Sequence, residues 1–320
     1  MRYTIHVLAL LLLAGCGQSG KDAAPETLTV MVFNAWGAGG NSGDSFDDVV
    51  AAIRRVDPDI VGLLETRLEA DPCTAEVCPP VGTSVAPDIA SRLGFHVYDQ
   101  RGDDGGLWAN AILSRYPILS TFDSELGVTI DVQGRKLAFF NVHLTDFPYQ
   151  PYQLLGVPYG SAPLLQTAQD ASAAAANARG PVIERLLADV ASADDVELVI
   201  VTGDFNEPSH RDWTARAAAI GRHPLEVEYP TVLRLENAGF RDAYRTVYPD
   251  EIEYPGFTWP ANNTSADAEY HSDRIDYVMV RGAAATIESA AIVGEKSPEA
   301  DIVVTPWISD HRAVLVTVIF

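Results

Sequence analysis

Residues 201–208 read Val-Thr-Gly-Asp204-Phe-Asn206-Glu-Pro, and the last predicted strand opens on Ser309-Asp310-His311. Short polar residues stand here directly against apolar runs. Side chains alternate with a period of two along a strand, so an Asp-x-Asn ending carries both polar groups to one face and turns Phe205 to the core. That face opens at the mouth of a sheet. A carboxylate, an amide and a separate Asp-His pair are the groups that hydrolysis of a phosphate ester needs: one to position water, one to hold a phosphate oxygen, one to move a proton.

Three more strand ends carry the same kind of signal. Leu28-Thr-Val-Met-Val-Phe runs into Asn34, and Ile60-Val-Gly-Leu-Leu runs into Glu65. A carboxylate so placed suits a hard cation such as Mg²⁺ or Mn²⁺, which takes oxygen ligands and keeps several waters. The plainer alternative is that Glu65 begins a solvated loop. Leu137-Ala-Phe-Phe runs into Asn141-Val-His143. A histidine in such a run packs or caps more often than it reacts, but this one stands at the strand end, followed by Thr145 and Asp146. Asp276 lies inside the apolar stretch Ile275-Asp-Tyr-Val-Met-Val. A carboxylate there costs on the order of several kcal/mol unless it is paired. His311 is the leading partner, and Arg274 is the structural alternative.

The elements that must position these groups follow from periodicity. Phe46, Val49, Val50, Ile53 and Val56 fall at helical spacing, so residues 45–56 form an amphipathic helix, stopped near Pro58. Strands are predicted at 28–34, 60–64, 109–114, 136–143, 196–203, 275–280, 286–293 and 312–319, with a hairpin partner at 127–132. Helices are predicted near 87–93, 164–191, 212–220 and 231–238, the last closed by Gly239. Residues 146–163, rich in Pro and Tyr, read as loop. Strands and helices alternate with hairpins between them, the pattern of mixed sheets with helices outside, an α/β layered fold in one domain from residue 27 to 320.

The chain has 320 residues, 47% of them hydrophobic, enough for a full core. Its 44 acidic and 22 basic residues give a net charge of −22. Phosphate-backbone binding needs clustered Lys and Arg, so strong non-specific nucleic-acid binding is not expected. A monomer is expected. Gly37-Ala-Gly39-Gly-Asn-Ser42 misses the dinucleotide-binding spacing, because Ser42 occupies the third glycine's place. Asn262-Asn-Thr-Ser and Arg101-Gly-Asp-Asp-Gly-Gly read as surface turns.

Arg2, the apolar stretch 7–13 and then Leu13-Ala-Gly-Cys16 form a targeting segment too short to span a bilayer. Leu-Ala-Gly-Cys resembles a bacterial lipobox. That resemblance implies a signal peptide over residues 1–15, acylation of Cys16, a tether over 16–26 and export to a bacterial membrane surface. In such an oxidising compartment Cys73 and Cys78 would form a local disulfide.

Taken in order, Phe33-Asn34, Leu64-Glu65, Ser114-Arg-Tyr-Pro-Ile118, Asn141-Val-His143, Gly203-Asp-Phe-Asn206, Arg274-Ile-Asp276-Tyr and Ser309-Asp-His311 resemble the endonuclease/exonuclease/phosphatase superfamily, in its DNase I-like and sphingomyelinase-like branches. The resemblance covers residues 28–320. It implies a four-layer α/β sandwich, two packed mixed β-sheets flanked by helices, and divalent-metal-dependent phosphoester hydrolysis. Glu65 resembles the principal Mg²⁺ ligand, with Asn34 beside it and Asp310 as a further metal contact or support. Asp204 resembles the residue that orients or deprotonates water. Asn206 and His143 resemble donors to the phosphate. Asp276 resembles the partner that fixes the tautomer of His311. Both Asp204 and His311 have a claim to the water's proton.

The aromatic segment after His143 places Tyr149 and Tyr152 as candidate substrate contacts, stacking on a base or sugar or packing on a lipid headgroup. An acylated protein at a membrane favours a lipid headgroup or small phosphodiester as substrate. A secreted DNase I-like endonuclease and a non-catalytic binding lipoprotein on a hydrolase fold are the alternatives.

Overall fold

The structure is a computed structural model that describes residues 26–67, 82–100, 109–261 and 271–320. Cys16, the tether up to residue 25, Cys73, Cys78, and the segments beginning at Arg101 and Asn262 lie outside these residues. No helix among the described residues is long and apolar enough to cross a membrane.

In chain order the elements are β1 (Thr27–Asn34), α1 (Phe46–Val56), β2 (Ile60–Leu64), α2 (Ala86–Leu93), β3 (His96–Gln100), β4 (Asn110–Ser114), β5 (Ile118–Thr121), β6 (Gly127–Val132) and β7 (Arg135–His143). They continue as α3 (Gln150–Leu155), α4 (Ala168–Ser192), β8 (Leu198–Asp204), α5 (Ala215–Ala219), α6 (Pro230–Asn237), β9 (Arg241–Asp242), α7 (Ala243–Val247), β10 (Asp276–Arg281), β11 (Thr286–Gly294), β12 (Ile302–Val303) and β13 (Ala313–Ile319). The strands form a seven-stranded sheet, ordered β12-β11-β13-β1-β2-β4-β3, and a six-stranded sheet, ordered β5-β6-β7-β8-β10-β9. Both are mixed: β1 and β2 run parallel, as do β7 and β8, while most other neighbours are antiparallel.

Burial on both faces explains the continuous apolar runs. In β1, Leu28, Val30 and Val32 join the core between the sheets. Met31 and Phe33 point the other way and pack with Val49, Val50 and Ile53 of α1 and Ile89 of α2. On the far side, Ala138, Phe140, Val199 and Val201 meet Val182, Ile183, Leu186 and Val190 of α4. The order is therefore helices, sheet, sheet, helices, the four-layer sandwich that the family resemblance implies.

Local signals hold the elements in place. Ser45 caps α1 in a reciprocal capping box with Asp48, and Asp57 ends the helix in a left-handed turn at φ 58°. Thr167 starts α4 by accepting from the Asp170 amide.

Four readings of the sequence need correction. The segment 146–163 is not all loop: Gln150–Leu155 is α3, with Pro151 in its first turn and Gly156 closing it at φ 78°. The helix predicted near 212–220 is only Ala215–Ala219, because Thr214 caps it late. The long helix starts at Ala168, not 164. Strands β3 and β5 escape detection because both are mostly half-buried or exposed and lack an apolar run.

Between the sheets stands a buried polar bridge whose role the strand periodicity does not reveal. Asn141 of β7 donates Nδ2 to the carbonyls of Leu63 (3.1 Å) and Ala111 (3.2 Å) in the other sheet. Its Oδ1 accepts from Thr202 Oγ1 at 3.0 Å. Each donor and acceptor in this buried set has a partner, so it ties the two sheets in register rather than weakening the core.

Candidate active site

The parallel pair β7–β8 and the antiparallel pair β8–β10 set the floor of the site. In register, His143 lies opposite Asp204, and Asp204 lies opposite Asp276. Strand β1 ends at Asn34 beside the end of β2, where Asn34 pairs with Leu64, so Glu65 follows at once. All these strand ends meet at one edge of the sandwich.

The buried Asn34 side chain joins the two sheets at this edge. Its Nδ2 donates to Glu65 Oε1 at 2.9 Å and to Asp204 Oδ2 at 3.2 Å. Its Oδ1 accepts the Trp36 amide at 3.0 Å. The Gly37 amide donates to Glu65 Oε2 at 3.2 Å. Glu65 itself has φ 54°, an uncommon conformation for a non-glycine residue and one that marks a residue held by its surroundings.

Asp204 is the centre of the group. The Asn206 amide donates to its Oδ1 at 2.8 Å, while Oδ2 lies 3.6 Å from Nε2 of His143 and 3.6 Å from Nε2 of His311. His311 Nδ1 in turn meets Asp276 Oδ2 at 2.9 Å. The backbone at Asp276 is fixed by Thr258, whose Oγ1 accepts the amides of Ile275 (3.0 Å) and Asp276 (3.2 Å). Ser309 completes the frame: its hydroxyl donates to the Asn34 carbonyl at 2.6 Å and accepts the His311 amide at 3.0 Å. Asp310 receives the Trp259 indole N–H on Oδ2 at 3.1 Å.

Electrostatics follow from this crowding. Burial pushes the Glu65 carboxyl up, His143 opposes the shift, and Asp310 adds to it. Burial and then Asp276 raise Asp204, and burial raises Asp310. For His311, burial disfavours the imidazolium, but Asp276, Asp204 and Asp310 outweigh it and hold the ring well above its usual range.

The residues present fit a hard divalent cation. Asp276 Oδ1 and Asp310 Oδ1 are buried without a hydrogen-bond partner, in a cleft already dense with carboxylate oxygens. Ligand atoms of Asp204, Asp276 and His311 also lie within 4.8 Å of one another. Because His311 already holds Asp276 through Nδ1, that trio is better suited to handling a proton. Glu65 and Asp310 remain as carboxylate ligands for a cation, while Asn34, expected as a ligand, turns Nδ2 to Glu65 and Asp204 and its oxygen to the Trp36 amide, and so positions Glu65 instead.

The sequence-predicted residues thus converge: Asn34, Glu65, His143, Asp204, Asn206, Asp276, Asp310 and His311 share one edge. Two corrections apply. Asn206 is not brought in by strand pleat, since β8 ends at Asp204 and Asn206 sits beyond it at φ 48°, held by its own amide on Asp204 and by Nδ2 on the Leu144 carbonyl at 2.9 Å. Tyr149 is no stacking surface: it is buried and donates its hydroxyl to Asp273 Oδ2 at 2.8 Å. Tyr152 is half-buried and packs edge-on against Tyr149 (5.0 Å) and Tyr159 (5.8 Å), with Trp259 at 6.1 Å. Sequence reading missed Thr258 and Trp259, and the bridging role of Asn141. Only the polar pair flanking Val142 hinted at Asn141, and the loop carrying Thr258 and Trp259 has no periodic signal.

A family model described as Endonuclease/Exonuclease/phosphatase family matches residues 31–311. The chain belongs to this family. Its members are hydrolytic phosphoesterases and nucleases that generally use divalent metals. An uncharacterized protein of Caenorhabditis elegans is 25% identical over 312 residues, covering 92% of each chain. Among solved structures, an endonuclease/exonuclease/phosphatase from Beutenbergia cavernae matches with a TM-score of 0.52 at 18% identity, over 91% of this chain and 71% of its own. TDP2 from C. elegans matches at 0.51 and 18%, over 92% and 75%. A 3′ phosphatase, NExo from Neisseria, bound to product DNA hairpin, matches at 0.50 and 16%, over 90% and 98%. At these identities the family's solved members share the fold with this chain, and the substrate has to be argued from the site.

Proposed function

We propose that the protein is a divalent-metal-dependent phosphodiesterase in which water attacks phosphorus, with a lipid headgroup or small phosphodiester favoured as substrate over DNA. The observation that carries this reading is the continuous chain Glu65–Asn34–Asp204–His311–Asp276, which couples a cation-binding carboxylate to a proton-accepting couple.

Glu65 and Asp310 would hold Mg²⁺ or Mn²⁺, with Asn34 positioning Glu65. When bound, such a cation neutralises the nonbridging oxygens of the phosphate and lowers the pKa of bound water. The chain's own groups do the rest. Asp204 orients the attacking water and takes up its proton, with the His311 imidazolium beside it to balance the charge. Asp276 fixes the His311 tautomer and stabilises positive charge on the ring. His143 and Asn206 donate to the phosphate oxygens as charge develops on them. Burial strengthens each contact, because few waters compete for it.

The net charge of −22 supports a substrate other than duplex DNA, since a protein without clustered cations gains no counterion release from the polyanion. Tyr152 and Trp259, beside Asp310, suit an apolar or planar leaving group. Acylation at Cys16, export to a bacterial membrane surface and a Cys73–Cys78 disulfide belong to the same reading, and they bring the enzyme to lipid substrates. A monomer suffices, since one chain carries the whole site.

The test is hydrolysis of sphingomyelin, phosphatidylinositol, sugar-phosphate esters and plasmid DNA, each with Mg²⁺ and with chelator. Metal-dependent cleavage of a lipid or small diester is expected. Salt-sensitive plasmid nicking as the dominant activity would replace this substrate class with a nuclease. Incorporation of a palmitate analogue in cells, abolished by Cys16→Ala, tests the anchor.

A further inference from the structure

A second cluster of ligand-type side chains lies behind the aromatic wall and takes no part in the chemistry above. His223 Nδ1 stands 3.0 Å from His271 Nε2, and His271 Nε2 stands 3.8 Å from Asp273 Oδ1. One ligand atom from each of the three residues lies within 4.8 Å of the others. These residues come from a loop after α5 and from the segment leading into β10, with His223 48 positions from His271 and 50 from Asp273, so no local turn brings them together.

The surroundings hold the donors in position. Trp213 donates its indole N–H to Asp273 Oδ1 at 2.8 Å, and Tyr149 donates its hydroxyl to Oδ2 at 2.8 Å. Each carboxylate oxygen can accept two hydrogen bonds, so with Trp213 on Oδ1 one lone pair remains on the histidine side. Trp213 also stacks on the His223 ring, with centroids 4.3 Å apart and planes at 12°. A hydrogen bond with the backbone of Asp212 engages that ring as well. This is the outer-shell pattern that orients a metal-binding imidazole. Burial pushes His223 down to about 4, so the ring is a neutral donor at ordinary pH. The His271 side chain keeps 14% of its surface open to solvent, which leaves a path for an ion.

We propose that His223, His271 and Asp273 form a second metal centre, for a borderline divalent cation of the Zn²⁺ or Co²⁺ type, with water in the fourth position. Two imidazole nitrogens bound at about 2.0–2.1 Å in a tetrahedron lie roughly 3.3 Å apart, close to the spacing here. Two nitrogens and one carboxylate oxygen favour such an ion over Mg²⁺, which prefers oxygen alone. Ligation through His271 Nε2 needs only a shift of its proton to Nδ1. The centre fixes Asp273 and, through Tyr149 and Trp259, the wall beside the active site. Tyr149 packs edge-on to Trp259 at 5.7 Å, and Trp259 holds Asp310. The proposal stands whether or not the phosphodiesterase reading does.

The test uses metal-stripped full-length protein in excess Mg²⁺, which fills hard-cation positions, titrated with Co²⁺. The expected result is the intense visible absorption of tetrahedral Co²⁺ at one equivalent, bleached by Zn²⁺ and kept in Glu65→Gln. His271→Ala and the bulk-preserving His271→Gln, each checked for fold by circular dichroism, should weaken Co²⁺ binding at least about tenfold. A featureless Co²⁺ titration of folded wild type would overturn the proposal and leave only a hydrogen-bonded histidine pair. So would a wild-type spectrum in a folded His271 variant, or loss of the spectrum in Glu65→Gln.

Discussion

His311 Nδ1 meets Asp276 Oδ2 at 2.9 Å, and this contact turns Nε2 toward Asp204 Oδ2, 3.6 Å away. In the proposed mechanism the imidazole relays charge to Asp204 in a direction that Asp276 sets. Asp276→Asn keeps the shape but removes the anion that selects the tautomer. It is expected to lower kcat about 10²- to 10⁴-fold with little change in KM, and His311→Ala to fall in the same range. Steady-state kinetics on a diester check this. Near-wild-type kcat in His311→Ala would remove the relay from the mechanism.

Tyr152 is half-buried beside Trp259, which holds Asp310, whereas Tyr149 is buried and held by Asp273. Tyr152→Ala should raise KM for an aryl or lipid diester several-fold, consistent with about 1 kcal/mol for an aromatic contact, and leave kcat nearly unchanged. An equal fall in kcat would mean that the ring acts on the transition state instead.

His223 gives a pH signature in stability. Burial lowers its folded value to about 4, against about 6.5 when unfolded. The fold holds the ring neutral, so its contribution is intact above about 6.5. It is lost as pH falls toward 4, because the unfolded chain takes up the proton first. The loss is about 3 kcal/mol. Urea titrations from pH 7.5 to 4, with chelator present, should show wild type losing this stability relative to His223→Gln. Parallel curves would contradict it.

Much of the site was legible because it sits at strand ends, where an apolar run breaks on a polar residue. Asn34, Glu65, His143, Asp204 and Asp276 announce themselves in this way. Asn206 reached the site for a different reason than its spacing suggests, through a left-handed turn closed on Asp204. Alternation alone could not separate Tyr149 from Tyr152, since α3 places them three residues apart on a helical start rather than along an extended loop. Thr258 and Trp259 lie in a segment without periodicity, and the meeting of His223 with Asp273 depends on tertiary packing. Asn141 looked like part of a strand-end motif, yet its amide bridges the sheets.

That bridge leaves little room opposite Asn141. A Cβ on Gly62 would meet Thr202 Oγ1 at 2.1 Å and Asn141 Oδ1 at 2.5 Å. Gly62→Ala should therefore destabilise the fold by about 1–3 kcal/mol through overpacking and a broken buried hydrogen bond. The urea midpoint reads this directly, and an unchanged midpoint would show that the sheets can part at no cost.

The central claim is that water attacks phosphorus at a cation held by Glu65. Turnover of bis-p-nitrophenyl phosphate in ¹⁸O-labelled water tests it most directly. The account predicts label in the p-nitrophenyl phosphate, none in the p-nitrophenol, and loss of turnover with chelator and in Glu65→Gln. Absence of turnover, turnover indifferent to chelator, or label in the phenol would contradict it.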